Sequence, residues 1–216
     1  MIIEKIPLPG MPEAAEVAAL MDAHGIAFQK IARVNWPEDY PECPNVMFRI
    51  AHSDTMLLLN YVVSETHVRA VAEHDGGRVW EDSCCEFFVE PFGDGLYYNF
   101  ECNCGEKLLL ACGEGRENRR LAPPDTMSAV SRCTTFGNRL FANSCASDTW
   151  QLSMVIPVSA FFLHPGARRL PDTIRANFYK CGDLLPTPHY LSWAPIDAPR
   201  PDFHRPDSFV PLSLRR

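Results

Sequence analysis

The segment Val79-Trp-Glu-Asp-Ser-Cys-Cys-Glu-Phe-Phe-Val-Glu-Pro91 interleaves acidic, aromatic and apolar residues in a pattern typical of a β-strand. Successive side chains of a strand alternate between its faces, which places Glu86 and Phe88 on one face. Cys85 and Phe87 point to the opposite face. The segment therefore predicts a strand with one apolar face and one face that carries carboxylates.

The next strand-like segment, Tyr97-Tyr-Asn-Phe-Glu-Cys-Asn103, alternates in the same way. The alternation groups Asn99, Glu101 and Asn103 on one face. If the two strands are neighbours, their polar faces combine into one surface of carboxylates and amides.

Short strand-like runs recur along the rest of the chain, between turns rich in Gly and Pro. Residues 46–52 and 56–63 flank Ser53-Asp54 and predict a hairpin. A single helix is predicted over residues 13–23, where small and apolar residues recur at helical spacing before His24-Gly25. Other predicted strands cover 26–34, 107–111, 150–156, 174–180 and 190–193.

Many short strands after one helix predict an all-β fold, an antiparallel β-sandwich with a short N-terminal helix. We divide the chain into an N-terminal extension, 1–30, which carries the helix, and one β-sandwich domain, 31–216. Trp36 and Trp150 are assigned to packing within this domain.

The net charge is −7, from 20 Lys plus Arg and 27 Asp plus Glu. This balance argues against binding to nucleic acid or to an anionic membrane, both of which require basic surfaces. Neutral ligands, including sugars, stay open, and the sequence leaves the oligomeric state open.

Nine cysteines, an odd number, lie largely in strand-like runs. This placement favours buried free thiols over a disulfide framework. The start of the sequence lacks the basic residues and the apolar run of a signal peptide. We therefore expect a cytoplasmic protein.

The polar and aromatic residues of this surface suit a sugar, whose ring stacks on an aromatic side chain while its hydroxyls reach polar groups. Their order also resembles the family 9 carbohydrate-binding modules, in particular stand-alone members from Bacteroides-type gut bacteria. The motifs that carry the resemblance are Trp80-x-Asp82-Ser-x-x-Glu86-Phe-Phe, Tyr97-Tyr-Asn-Phe-Glu101, Asn177-Phe-Tyr179, Ser192-Trp193 and Phe203-His-Arg-Pro-x-x-Phe209.

The resemblance implies a jelly-roll-like β-sandwich that binds an oligo- or polysaccharide without catalysis and serves carbohydrate catabolism. By motif match, Trp80 and Trp193 are the two tryptophans that hold the sugar, and Glu86 is the binding carboxylate. The other expected ligand-binding residues are Asp82, Asn99, Glu101, Asn177 and Tyr179.

One position departs from the family pattern, because Glu101 stands where the family carries a binding arginine. Arg69, Arg49 and Lys180 are candidates to supply that donor. The cluster of Arg116, Arg119 and Arg120 is interpreted as a solvated loop.

Two other functions stay open: a sandwich that mediates interactions or structure without binding sugar, and a glycoside hydrolase. For a hydrolase, Glu86 and Glu101 would be the acid and base.

No cofactor is required by these readings. The resemblance implies a structural calcium ion, which prefers oxygen ligands. His189, His204, Asp202 and Asp207 could contribute to a cation site, although no specific ligand set is predicted. Cys84-Cys85 and Cys102-x-Cys104 lack the usual zinc-ligand spacing and are interpreted as buried thiols.

Overall fold

The structure is a computed structural model that describes residues 1–144 and 148–216. Cys145, one of the nine cysteines counted above, lies outside the described residues. The eight described cysteines are free thiols, and six of them are buried, as the sequence predicts.

The described chain forms 16 strands and two short α-helices. The helices are α1 (Val17–Ala23) and α2 (Pro124–Ser128). The strands are β1 (Ile2–Lys5), β2 (Gln29–Ile31), β3 (Arg33–Val34), β4 (Asn45–Ser53), β5 (Met56–Glu65), β6 (Val68–Ala70), β7 (Cys84–Glu90), β8 (Tyr97–Asn103), β9 (Leu108–Gly113), β10 (Arg120–Leu121), β11 (Ser131–Thr134), β12 (Phe141–Ser144), β13 (Asp148–Pro157), β14 (Thr173–Cys181), β15 (Tyr190–Ser192) and β16 (Val210–Leu214).

The main sheet runs in the order β10-β9-β8-β7-β14-β16-β1-β4-β5-β13-β11. Strands β15, β3 and β2 pair off this path, and β6 pairs with β12 separately. The sheet curls, so that its two halves face each other: the rings of Phe48 on β4 and Phe178 on β14 stack at 3.9 Å. The mostly β fold with a short N-terminal helix is confirmed.

Strand β1 makes the sheet mixed, because it pairs in parallel with both β16 and β4. The sequence places these residues in an extension ahead of the domain. In the structure they join the two halves of the sheet, and Ile3 is fully buried in the core. A four-residue strand is too short to show a clear periodicity, which is why the sequence pattern missed it.

The predicted helix begins later than its pattern indicates. A turn of 3-10 helix, Ala14–Glu16, precedes α1, and its start is stabilised by a capping box between Glu13 and Glu16. Val17 and Met21 of α1 are buried in an apolar cluster with residues of β4, β5 and β13. Among the described residues, no helix is long and apolar enough to cross a membrane.

The predicted hairpin is confirmed, with β4 and β5 paired antiparallel from Asn45 opposite Ser64 to Ser53 opposite Met56. Strands β7 and β8 are also neighbours, and Glu86 lies directly opposite Glu101. Strand β14 flanks β7 on its other side, with Tyr179 opposite Glu86. These three central strands carry the candidate site.

Candidate functional site

Strands β7, β8 and β14 have an inner face, which packs in the core, and an outer face, which bears a pocket of about 460 Å³. This volume lies within the range of small-molecule sites. The residues that line the pocket are Trp80, Glu86, Phe88, Asn99, Glu101, Leu109, Ala111, Arg116, Glu117, Arg119, Leu121, Cys181, Asp183, Tyr190, Pro201, Asp202, Phe203 and His204.

Two buried carboxyl groups form the floor of the pocket, Glu86 on β7 and Glu101 directly opposite on β8. Asn99 donates from Nδ2 to Glu101 at 2.8 Å, and the Cys181 thiol donates to Glu86 at 2.9 Å. Burial raises the pKa of Glu101 to about 7 and raises the pKa of Glu86 well above its usual value. The floor therefore holds carboxyl groups whose charged form is disfavoured by burial.

Arg119 supplies the cation of this site. Its guanidinium lies 4.1 Å from the ring centroid of Tyr97 and donates from Nη2 to the Asn99 side-chain oxygen at 2.7 Å. The sequence interpretation of Arg116, Arg119 and Arg120 as a solvated loop is wrong for Arg119. This side chain is partly buried, because it packs against Tyr97 and Asn99 of β8. Arg116 also lines the pocket, where it pairs with Asp202 at 3.2 Å.

Aromatic side chains form the upper walls of the pocket. Trp80 lies on a turn of 3-10 helix, Val79–Glu81, immediately before β7, and is half-buried. Tyr190 and Phe203 also line the pocket, and the Phe203 ring stacks on buried Tyr179. The walls thus combine a partly exposed indole with a partly exposed phenol.

His204 and Asp183 complete the polar lining. The His204 ring hydrogen-bonds the Tyr97 hydroxyl at 2.9 Å, and burial lowers the pKa of His204 to about 3, so the imidazole is neutral near pH 7. Asp183 is tied to the tryptophan turn, since its N–H donates to the Trp80 carbonyl oxygen. Burial raises the pKa of Asp183 to about 6.

Four of the predicted ligand-binding residues converge on this pocket: Trp80, Glu86, Asn99 and Glu101. Period-two alternation on β7 and β8 brings the three polar ones to the outer face, as the sequence pattern indicates.

Asp82 lies beside the site but does not line the pocket. Its carboxylate accepts the backbone N–H groups of Val71 and Ala72 and the side-chain amide of Asn103, and it pairs with Arg69 at 3.1 Å. The side chain therefore positions the chain leading into β7.

Asn177 and Tyr179 of β14 hold the segment that forms one wall of the pocket. Asn177 exchanges hydrogen bonds with the backbone of Ala194, and Tyr179 donates from its hydroxyl to the Phe203 carbonyl oxygen. Both residues are fully buried and lie outside the pocket lining.

Trp193 is separated from Trp80 by the sheet. Its ring packs edge-on against Phe48 and Phe178 of the inner face, at centroid distances of 5.8 and 5.6 Å. Alternation explains the placement, because Ser192 pairs with outward-facing Tyr179 and the next residue turns inward. The two tryptophans of the resemblance do not share a pocket.

The three cations proposed from the sequence lie away from the pocket. Arg69 pairs with Asp82, and Arg49 binds Asn60 and Asp22 on the other half of the sheet. Lys180 is buried on the inner face, where it pairs with Glu65 at 2.8 Å. Arg119, in contrast, lines the pocket.

The residues considered for calcium do not gather into an oxygen cage. His189 contacts Lys180, whereas Asp207 pairs with Arg205. Asp202 and His204 are neighbours but are engaged by Arg116 and Tyr97, respectively. These side chains do not fit a hard cation that takes six to eight oxygen ligands.

Sequence reasoning missed Arg119, Asp183 and Tyr190 as members of the site. The loop before Arg119 contains Gly and charged residues, and its polar composition predicted solvent exposure. Gly182-Asp183 follows β14 directly, and a Gly-Asp pair at the end of a strand is typical of a turn. Arg119 and Asp183 reach the pocket through loop conformations, which no periodicity of the sequence encodes, whereas Tyr190 begins the short strand β15.

Comparison with known proteins shows what the chain is similar to. Residues 15–214 match the carbohydrate-binding family 9, and the chain belongs to this family. A crystal structure of a "putative carbohydrate-binding protein" from Bacteroides uniformis has a TM-score of 0.96 and 47% sequence identity, covering 100% of this chain and 98% of that one. Among curated proteins, none matches.

A family 9 module from Caldicellulosiruptor kristjanssonii, in complex with cellotriose, has a TM-score of 0.58 and 12% identity, covering 100% of this chain and 94% of that one. The same kind of module in complex with glucose has a TM-score of 0.59 and 12% identity, with coverage of 100% and 96%. At this identity, the likeness concerns the fold.

Proposed function

We propose that the protein binds a neutral oligo- or polysaccharide in the pocket on the outer face of β7, β8 and β14. The observation that carries the proposal is the partly exposed Trp80 beside a floor of Glu86, Glu101 and Asn99. A sugar ring presents apolar C–H groups to the indole and hydroxyl groups to the floor. The complexes of a family 9 module with cellotriose and with glucose support this choice of ligand class.

The polar lining matches the hydrogen bonds that sugar hydroxyls form. Glu86 and Glu101 accept from hydroxyls, and Arg119 and Arg116 donate to them. Asn99 already joins Arg119 to Glu101, so that donor and acceptor are held in fixed positions. Such preorganisation reduces the entropy lost when the ligand is held.

Calorimetric titration tests the proposal with glucose, cello-oligosaccharides and xylo-oligosaccharides. We expect a dissociation constant of roughly micromolar to millimolar, about −8 to −4 kcal/mol, for at least one of them. Glu101→Gln should weaken the binding of that sugar. The matched control is Glu90→Gln on the same face of β7, because Glu90 pairs with Arg175 outside the pocket. Equal loss in both variants, or no binding of any sugar by the wild type, would contradict a sugar site in the pocket.

We further propose that binding is non-catalytic. Glu86 and Glu101 lie side by side on adjacent strands and rise from one floor, whereas a glycosidase places its two carboxyl groups on either side of the scissile bond. Prolonged incubation with aryl glycosides should release no product above that of a Glu86→Gln, Glu101→Gln double variant. Release by the wild type alone would favour the hydrolase.

A role in carbohydrate catabolism is the finer part of this proposal. A module that holds a glycan raises the local concentration of substrate for an enzyme that acts beside it. Linked to a glycoside hydrolase, the protein should accelerate degradation of an insoluble polysaccharide, and the Trp80→Ala variant should not. Equal acceleration by both would point to an effect other than sugar binding.

We also propose that the protein works in a reducing compartment such as the cytoplasm. Six buried free thiols support this proposal. Two of them, Cys84 and Cys181, lie directly opposite each other and could form a disulfide in an oxidising compartment. Alkylation in freshly lysed cells followed by mass spectrometry should find the thiols reduced. Disulfides in that sample would contradict the cytoplasmic location.

A further inference from the structure

Three potential metal ligands meet at one corner of the pocket floor. Cys84 is the first residue of β7, and Cys181, the last residue of β14, lies directly opposite it. Glu86 follows Cys84 by two positions and so projects from the same face. The two sulfur atoms and a carboxylate oxygen all lie within 4.8 Å of one another.

This spacing is close to the one that tetrahedral zinc requires. With Zn–S bonds of about 2.3 Å and Zn–O bonds of about 2.0–2.2 Å, ligand atoms in a tetrahedron are roughly 3.5–3.8 Å apart. The Cys181 sulfur is already 2.9 Å from the Glu86 oxygen, through the hydrogen bond between them. Small side-chain rotations would therefore bring the three atoms around a common centre.

The surroundings also favour a cation. Glu86 faces Glu101 across the strand pair, and carboxyl groups directly opposite each other repel when both are charged. Both are buried. Arg119 is held by Asn99 and forms no hydrogen bond with Glu86. A divalent ion bound to Glu86 would offset the repulsion between the two carboxylates.

We propose that Cys84, Glu86 and Cys181 form a binding site for a thiophilic divalent cation, with Zn²⁺ as the best fit. Thiolate sulfur selects such ions over calcium and magnesium, which prefer oxygen. On binding, the S–H bonds of Cys84 and Cys181 break, two S–Zn bonds and one O–Zn bond to the Glu86 carboxylate form, and the two thiol protons leave to solvent together with any proton that the Glu86 carboxyl group carries. No oxidation or reduction takes place.

The site has three protein ligands, so one coordination position stays open. Glu86 and Cys181 line the pocket, whereas Cys84 is fully buried and does not line it. The open position thus faces the pocket beside Trp80, where water or a ligand oxygen completes the tetrahedron. Open positions of this kind distinguish sites that bind ligands from closed structural ones.

Cobalt titration of the full-length, reduced protein tests the site, because Co²⁺ adopts the same geometry and its thiolate bonds give a charge-transfer absorption band. We expect one equivalent of Co²⁺ to produce the band and one equivalent of Zn²⁺ to remove it. Cys84→Ser and Cys181→Ser should lower the affinity at least roughly 100-fold, and Glu86→Gln roughly 10-fold, since even indirect supporting residues contribute 10–100-fold.

The chain offers a matched control in Cys85 and Cys102. They are also buried cysteines directly opposite each other on paired strands, but they lie on the inner face among apolar residues. Cys102→Ser should keep the cobalt band. Near-UV circular dichroism and the urea midpoint establish that each variant is folded, and Glu86→Gln gives a second route if a cysteine variant is not.

Three results would overturn the proposal: absence of the band in the reduced wild type, its persistence in Cys84→Ser and Cys181→Ser, or its loss in folded Cys102→Ser. If the purified protein contains a Cys84–Cys181 disulfide and gives no cobalt band after reduction, that outcome counts as the first result. The titration contains no sugar, so the cation site can fail while sugar binding stands, and the reverse also holds.

Discussion

Strands β7, β8 and β14 present two faces of different chemistry, because successive residues of each strand point to opposite faces. The inner face carries Phe87 and Phe178, whose rings stack at 5.0 Å, together with Phe100. The outer face carries Glu86 and Glu101 at equivalent positions one residue away. Both faces bury apolar surface, which favours folding, since Phe88, Tyr97 and Tyr179 pack in a cluster on the outer face. The outer face differs because it also buries these two carboxyl groups.

The outer face is covered by the loop that carries Arg119 and by the segment around Phe203, which form the walls of the pocket. Burying carboxyl groups there opposes folding, as the raised pKa of Glu101 shows. A sheet face built for stability alone has no need of such groups. The comparison therefore supports the proposal that the outer face, unlike the inner one, combines apolar packing with a ligand-binding pocket.

The largest expected effect is on the inner face. Phe178→Ala removes a fully buried ring that stacks on Phe48 in the other half of the sheet and on Phe87 of the neighbouring strand. The free energy of unfolding should fall by about 3–5 kcal/mol, the usual range for large-to-small changes in a core. Urea denaturation measures it. A loss below 1 kcal/mol would show that the halves are not held together at this point.

Asp82→Ala should have the next largest effect. It leaves two backbone N–H groups, Asn103 and Arg69 without their buried acceptor, and the free energy of unfolding should fall by about 2–3 kcal/mol. Asp82→Asn, which keeps one acceptor oxygen, is the control and should retain part of the stability. An unchanged urea midpoint for Asp82→Ala would contradict the positioning role of Asp82.

The sequence indicated this division only in part. Alternation on β7 and β8 correctly placed Glu86, Asn99 and Glu101 together, because period two is a local property of an extended chain. The same rule, applied to Ser192 and Trp193, points Trp193 inward, but the resemblance had assigned it to the sugar. Arg119 was not predictable, since its position depends on a loop that folds back over Tyr97.

The fold shows the same limit. Long strands such as β4 and β5 were read from their apolar runs, whereas β1 was not, because it is short and its partners lie at the far end of the chain. Pairing of Ile2 with Ser213 depends on the whole sheet. Local patterns contain no information about it.

A smaller effect follows from the pKa of Glu101, about 7 in the folded protein against 4.5 in the unfolded chain. Between these values the unfolded chain loses its proton first, so the free energy of unfolding should fall as pH rises from about 4.5 to 7, by on the order of 2 kcal/mol, and then level off. Urea denaturation at several pH values measures it. Glu101→Gln should flatten the slope, and an equal slope in this variant would assign the pH dependence to other groups.

The most direct test of the central claim compares the two tryptophans. Titration with the best-binding oligosaccharide should show that Trp80→Ala weakens affinity roughly 10-fold or more, about 1.4 kcal/mol, with little change in the urea midpoint. Trp193→Ala should lower the midpoint and leave the affinity of the folded protein within about twofold, because its ring packs against Phe48 and Phe178. If Trp193→Ala abolishes binding by a folded protein while Trp80→Ala binds normally, the pocket on the outer face is not the sugar site.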